Sequence, residues 1–229
     1  MTEEYLTDDE QLEAVKHMLV DYAPWLIGGV LAGLAVFFGM RYFDSYTNER
    51  ALKAAAQFSA MTTALQENDQ TKSRQIADAL IKDYASSPYA DQAQLTLARL
   101  DVDDGQLDKA IAPLTQVMNE SKDTELRQIA RLRLARVLTD QGKADQAIKT
   151  LAEPAPPAFA ARYHEVRGDA YLAQKDISHA AAEYQAALAA ADAGGIDASL
   201  LELKIQDLGA APAPVAKAVS VDTLNKAKP

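Results

Sequence analysis

Leu134-Ala-Arg-Val-Leu-Thr-Asp-Gln-Gly-Lys-Ala-Asp-Gln-Ala-Ile-Lys-Thr-Leu151 is the stretch from which the fold is read. An apolar run at helical spacing ends in the polar turn Gln141-Gly142-Lys143, and a second helical pattern starts at once. The same design stands upstream, where Leu97-Ala98-Arg99 leads to Asp104-Gly105-Gln106, and downstream, where Arg167-Gly168-Asp169 leads to Lys175-Asp176. Seven residues after the small residue come Gly105, Gly142 and Lys175. Five further come Ala110, Ala147 and Ala180, and four further Leu114, Leu151 and Tyr184. The periods are 37 and 33 residues. A helix–turn–helix unit recurring at that length cannot bury its apolar faces alone, so copies stack into a solenoid.

The pattern resembles the tetratricopeptide repeat. The third copy carries it best: Gly168, Tyr171, Ala180, Tyr184, Ala187 and Leu188 follow the small–aromatic order in which small residues let paired helices touch and large ones fill the space between pairs. Asp101 and Leu138 replace the first aromatic in the other two copies, which are degenerate. A looser unit is expected over Ala51 to Asp83, closed by Ser87-Pro88, with Asn68-Asp69-Gln70 as a break inside it. Helices of about 11 to 18 residues are expected up to Asp207, with Asp197 to Leu208 as a terminal cap. No segment alternates with the period of a strand, so the fold class is all-α: one N-terminal transmembrane helix, then a tetratricopeptide-like helical-repeat solenoid.

The transmembrane helix is read from Tyr22 to Met40, nineteen residues without a charge, bounded by Asp21 and Arg41. As a helix it spans roughly 28 Å, the thickness of a bilayer's hydrocarbon core. Tyr22, Trp25, Tyr42 and Phe43 suit the two interfaces, and Pro24 is expected in the helix's first turn. The stretch before it is acidic and lacks the basic flank of a cleaved signal, so an uncleaved anchor is expected. Gly28, Gly29, Ala32, Gly33, Ala35 and Gly39 form a small-residue face that would let another membrane helix approach closely. Membrane helices are glycine-rich in any case, which is the alternative reading of the same face.

Four regions follow: an acidic leader (1–21), the anchor (22–43), the repeats (44–208) and an Ala/Pro/Lys tail (209–229) expected to be flexible. The leader carries seven acids against Lys16, and a short amphipathic helix from Thr7 or Asp8 would use Leu6, Leu12, Val15 and Leu19. It reads either as a docking tail or as a solvated segment. The net charge of −10 with no basic stripe argues against nucleic acid. There are no cysteines, and His17, His164 and His179 have no ligand spacing, so neither a metal nor a cofactor is expected. No hydrolase, phosphate-loop or dinucleotide motif occurs, and the chain reads as a non-enzyme.

What the repeats offer is a groove. In this repeat class the first helix of each pair lines the concave face, which gives three rungs: Gln92, Leu95, Arg99, Val102; Ile129, Leu132, Arg136, Thr139; and Arg162, Glu165, Asp169, Leu172. Apolar residues alternate with charge, a surface suited to a polypeptide, with backbone and acidic groups on Arg99, Arg136 and Arg162. Alternatively, Arg136 and Asp169 of neighbouring repeats pair with each other.

Together Gln11-Leu-Glu-Ala-Val-Lys16, the anchor closing on Gly39-Met-Arg41-Tyr42, and Leu132-Arg-Leu-Ala-Arg-Val137 resemble the YfgM-like family, ancillary subunits of the bacterial SecYEG translocon. The likeness covers roughly residues 4 to 208. It implies a single-pass inner-membrane protein, N-terminus in the cytoplasm and repeats in the periplasm. The implied partners are the translocon, a membrane-anchored periplasmic prolyl-isomerase-like chaperone and newly exported polypeptides. The family brings no catalytic residues. The positive-inside count points the other way, with Lys16 before the anchor and Arg41, Arg50 and Lys53 after it. That orientation would make the chain a cytoplasmic-facing scaffold recruiting a soluble partner.

Overall fold

The computed structural model describes residues 8–191 and 196–209, except for the side chains of residues 8–15, 17–21, 23, 26 and 44. The apolar spacing assigned to the leader and the tail after Gly209 lie outside what is described. Met1–Ala55 and Ala56–Pro229 form two compact units. Among the described residues every regular element is helical.

Helix α1 runs from Asp8 to Gln66 and holds the anchor sequence within a longer helical run. Pro24 therefore lies well inside a helix and not in its first turn, because the helix starts at Asp8 instead of near Tyr22. Within the first unit the described apolar side chains from Trp25 to Phe43 stand exposed, Trp25 to 81%. Nothing in the unit covers them. From Ile27 on, the helix is long and apolar enough to cross a bilayer. An added Cβ at Gly28, Gly29, Gly33 or Gly39 would meet no atom within 4 Å.

The second unit takes the end of α1 and then α2 (Gln70–Asp83), α3 (Pro88–Asp103), α4 (Leu107–Glu120), α5 (Thr124–Asp140), α6 (Ala144–Thr150), α7 (Ala160–Ala173), α8 (Ile177–Ala189) and α9 (Ala198–Asp207). The expected break after Gln66 is there: Asn68 takes φ 61°, and the Asp69 carboxylate accepts from the Lys72 N–H at 2.9 Å to start α2. Ser87 caps α3 in the same way, with Pro88 at the first helical position.

The three aligned turns have one backbone design. Gly105, Gly142 and Lys175 take φ of 73°, 73° and 63°, the left-handed region. In each turn two hydrogen bonds close the helix end: Gly105 N–H to Val102 O with Gln106 N–H to Asp101 O, Gly142 to Thr139 with Lys143 to Leu138, and Lys175 to Leu172 with Asp176 to Tyr171. This is the Schellman arrangement, which satisfies carbonyls that the helix itself leaves open. The repeat seen in the letters is thus a repeat of backbone geometry.

From α2 on, each helix packs on the next, and first helices also meet directly, α3 on α5 and α5 on α7. One apolar core runs through α3 to α7, built on Leu114, Ala135, Leu151, Tyr163 and Val166. A second, of Tyr184, Leu188, Leu201 and Ile205, joins α8 to α9, so the expected terminal cap covers the last pair. Helix α6 departs from the expected lengths. It has seven residues, because Pro154, Pro156 and Pro157 stand just past Leu151-Ala-Glu153 and bar its continuation, and a short 3-10 turn (Pro157–Phe159) carries the chain to α7.

Candidate functional site

The side chains assigned to the groove separate into three groups. Leu95 and Leu132 are buried in the main core, at 6% and 4% exposure, and do not line a surface. A stripe stepping i, i+3, i+7 was expected; the open side of α3 and α5 instead steps i, i+4, i+7, i+11. It runs through Gln92, Thr96, Arg99 and Asp103 on α3, and through Ile129, Arg133, Arg136 and Asp140 on α5. The physical reason is the 3.6-residue turn: residues at i+3 and i+4 diverge to opposite sides of the line through i, and the core takes the leucine. Val102 and Thr139 are half-buried at the flank, with the Thr139 hydroxyl donating to Ala135 O of its own helix.

The third rung is occupied by the protein itself. Lys204 on α9 donates to Asp169 at 2.7 Å and to Glu165 at 3.1 Å, while the Tyr184 hydroxyl donates to Asp169 at 2.7 Å. Burial, and then the Asp169 carboxylate it serves, pushes the Tyr184 phenol well above its usual value, so it remains a donor. The Lys204 ammonium also stands 5.3 Å from the centre of the Tyr184 ring. Arg136 pairs with Glu165 at 3.5 Å, and not with Asp169 as the sequence alternative had it. Arg162 and Leu172 remain exposed.

The other two rungs stay open. Between α3 and α5 lies a cavity of about 260 Å³ whose floor is Ala98, Val102, Leu114 and Val137. Arg99, Arg133, Arg136 and Asp140 stand around it. Arg99 is held weakly by Asp103, 3.6 Å away, with both side chains mostly in water. Arg133 donates to Leu95 O of α3 at 3.3 Å and has no carboxylate within 4.0 Å among the described residues. Desolvation and then the charges of Arg99 and Arg136 hold its pKa below the ordinary arginine value.

Three contributors were not singled out from the sequence. Arg133 lies off the i, i+3, i+7 stripe, although it sits i+4 from Ile129 and i−3 from Arg136. Lys204 had no sequence signal, since it reaches the site from 35 residues away. Arg74 on α2 bridges Asp101 at 2.6 Å and Asp104 at 2.8 Å, which explains why Asp101 replaces an aromatic there: the buried position is filled by an ion pair between α2 and α3. Among the described residues no group of three or more His, Asp or Glu is gathered to hold a metal ion.

A stack of paired helices with left-handed turns, an end cap and an apolar helix ahead of it defines the class: an anchored tetratricopeptide-like repeat protein. The family model described as a tetratricopeptide repeat-like domain matches residues 16–210. The ancillary SecYEG translocon subunit of Escherichia coli (strain K12) is 30% identical over 204 residues, covering 89% of this chain and 98% of that protein. The proteins so named from Neisseria gonorrhoeae (26%, covering 89% of this chain and 98% of that protein) and Haemophilus influenzae (24%, covering 75% and 83%) are also similar. No solved structure matches the chain significantly. The chain belongs to the tetratricopeptide repeat-like family of ancillary SecYEG translocon subunits.

Proposed function

We propose that the chain is a non-catalytic translocon accessory whose repeats stand on the periplasmic side of the inner membrane and bind polypeptide. Its clients are newly exported chains, and its partner is a membrane-anchored chaperone of the prolyl-isomerase kind. The observation that carries the reading is the open face of α3 and α5. There an apolar floor is ringed by guanidinium groups, while the equivalent face of α7 is occupied by Lys204. Such a surface fits an extended segment, with its apolar side chains on the floor and its polar groups on the arginines. The name its relatives share supports the translocon as the place where this happens.

Reversing Arg99 and Arg136 together to Glu tests the groove. We expect site-specific crosslinks from the repeats to emerging chains to fall severalfold while the thermal unfolding of the protein is kept. Undiminished crosslinking would remove the groove from the account.

A cytoplasmic scaffold is the second reading, favoured by the excess of Arg41, Arg50 and Lys53 over Lys16 around the anchor. A reporter active only in the periplasm, fused to the C-terminus, separates the two. Activity in intact cells is expected; silence from an intact, membrane-bound fusion would put the repeats in the cytoplasm.

A further inference from the structure

We propose that the cavity between α3 and α5 is a subsite for a carboxylate side chain, an Asp or Glu of a bound polypeptide, with Arg133 as its principal contact. The inference rests on the reading of this face as a polypeptide groove and adds to it a rule of client selection. Three arginines gather around one cavity of about 260 Å³, room for a carboxylate side chain with an aliphatic neighbour. Two of the three have carboxylates of the chain near them: Arg99 has Asp103 at 3.6 Å, and Arg136 has Glu165 at 3.5 Å. Both distances are long for charge-assisted hydrogen bonds, and Glu165 is also claimed by Lys204 at 3.1 Å. Arg133, between them, spends one N–H on a backbone carbonyl at 3.3 Å and has no acidic partner among the described residues.

A guanidinium has five donors in a planar fork, and a carboxylate takes two of them at once. Against an apolar floor of Ala98, Val102, Leu114 and Val137 such a pair is shielded from water on one side, so it is stronger than an exposed ion pair. Asp140 stands on the same rim, which narrows the fit to one carboxylate and disfavours clusters of acid. The floor calls for an aliphatic neighbour beside the acid. A chain still emerging from a channel offers side-chain carboxylates along its whole length and a terminal one only at its end, so the side chain is the source to which we commit.

The test uses the full-length protein in nanodiscs and two peptides, each labelled at its N-terminal amine with an uncharged BODIPY dye and amidated at its C-terminus. Their sequences are Ser-Ala-Leu-Val-Glu-Leu-Ala-Ser and the same peptide with Gln for Glu, and binding is read by fluorescence anisotropy. The acidic peptide is expected to bind about tenfold tighter, the effect of one good charge-assisted pair. In Arg133→Gln the preference should vanish, the two peptides binding about equally, while the thermal unfolding of the protein is kept, which reports an intact fold. Equal binding of the two peptides to the unaltered protein would overturn the subsite and leave the groove. Failure of both peptides to bind would overturn the groove reading along with it. A preference that survives in Arg133→Gln overturns the role given to that residue. Tight binding of the glutamine peptide only when its C-terminus is left free would assign the cavity to a chain terminus and overturn the side-chain assignment.

Discussion

Gly168 and Lys175 are the two residues whose backbone surroundings decide most. A Cβ at Gly168 would stand 2.5 Å from Cε1 and 2.6 Å from Cδ1 of Tyr184, whose ring is fully buried and hydrogen-bonded at its hydroxyl. Neither helix can yield without moving that ring off Asp169. Gly168→Ala should therefore destabilise the repeats by about 1–3 kcal/mol, as overpacking does, although alanine favours a helix interior over glycine. Urea unfolding followed by far-UV circular dichroism checks the sign, and a more stable variant would mean that the α7–α8 contact is loose. Lys175 holds φ 63° at the position where the other two copies have glycine. A lysine there carries a left-handed penalty of about 1–2 kcal/mol, partly offset by the entropy that glycine loses on folding. Lys175→Gly is expected to stabilise by roughly 0.5–1 kcal/mol, read as a higher denaturant midpoint at unchanged slope. Both positions were legible from the aligned copies, where a small residue and a turn residue recur; the distance to Tyr184 was not.

At the scale of elements, the cap decides how the array ends. Helix α9 buries Leu201 and Ile205 fully and brings Lys204 to Asp169 and Glu165. Burial of an aliphatic side chain outweighs one half-shielded ion pair, so Ile205→Ala should cost about 2–4 kcal/mol and Lys204→Ala roughly 1 kcal/mol. The order is checked by the melting of each variant; a larger loss for Lys204→Ala would mean that charge and not apolar contact seats the cap. The existence of this helix was readable from the need of a solenoid to close its last face. Its occupation of the third rung was not, because a lysine on a helix surface carries no mark of where it reaches. Helix α6 shows the converse: its early stop follows from Pro154, Pro156 and Pro157, local letters whose meaning requires no neighbour.

For the whole molecule the open question in the membrane is a partner helix. Gly28, Gly29, Ala32, Gly33, Ala35 and Gly39 leave one side of the anchor without bulky side chains, where another helix can approach closely, and we propose this face as the one that docks in the bilayer. Replacing Gly29 and Gly33 with Leu should leave the protein in the membrane and abolish its crosslinks to a membrane helix of the translocon; retained crosslinks would discard the face. What the sequence determined by itself is what depends on spacing along one chain: an apolar stretch long enough for a bilayer, helices with a 3.6-residue period, turns at Gly105, Gly142 and Lys175, and an array that needs a cap. What only the tertiary structure decided is which residues remain open once helices have packed. Leu95 and Leu132 turned inward, Arg133 came to the rim, and Lys204 filled the face of α7. Periodicity fixes the direction of each side chain about its own helix axis, but only packing against the neighbouring helices decides which direction is the inside.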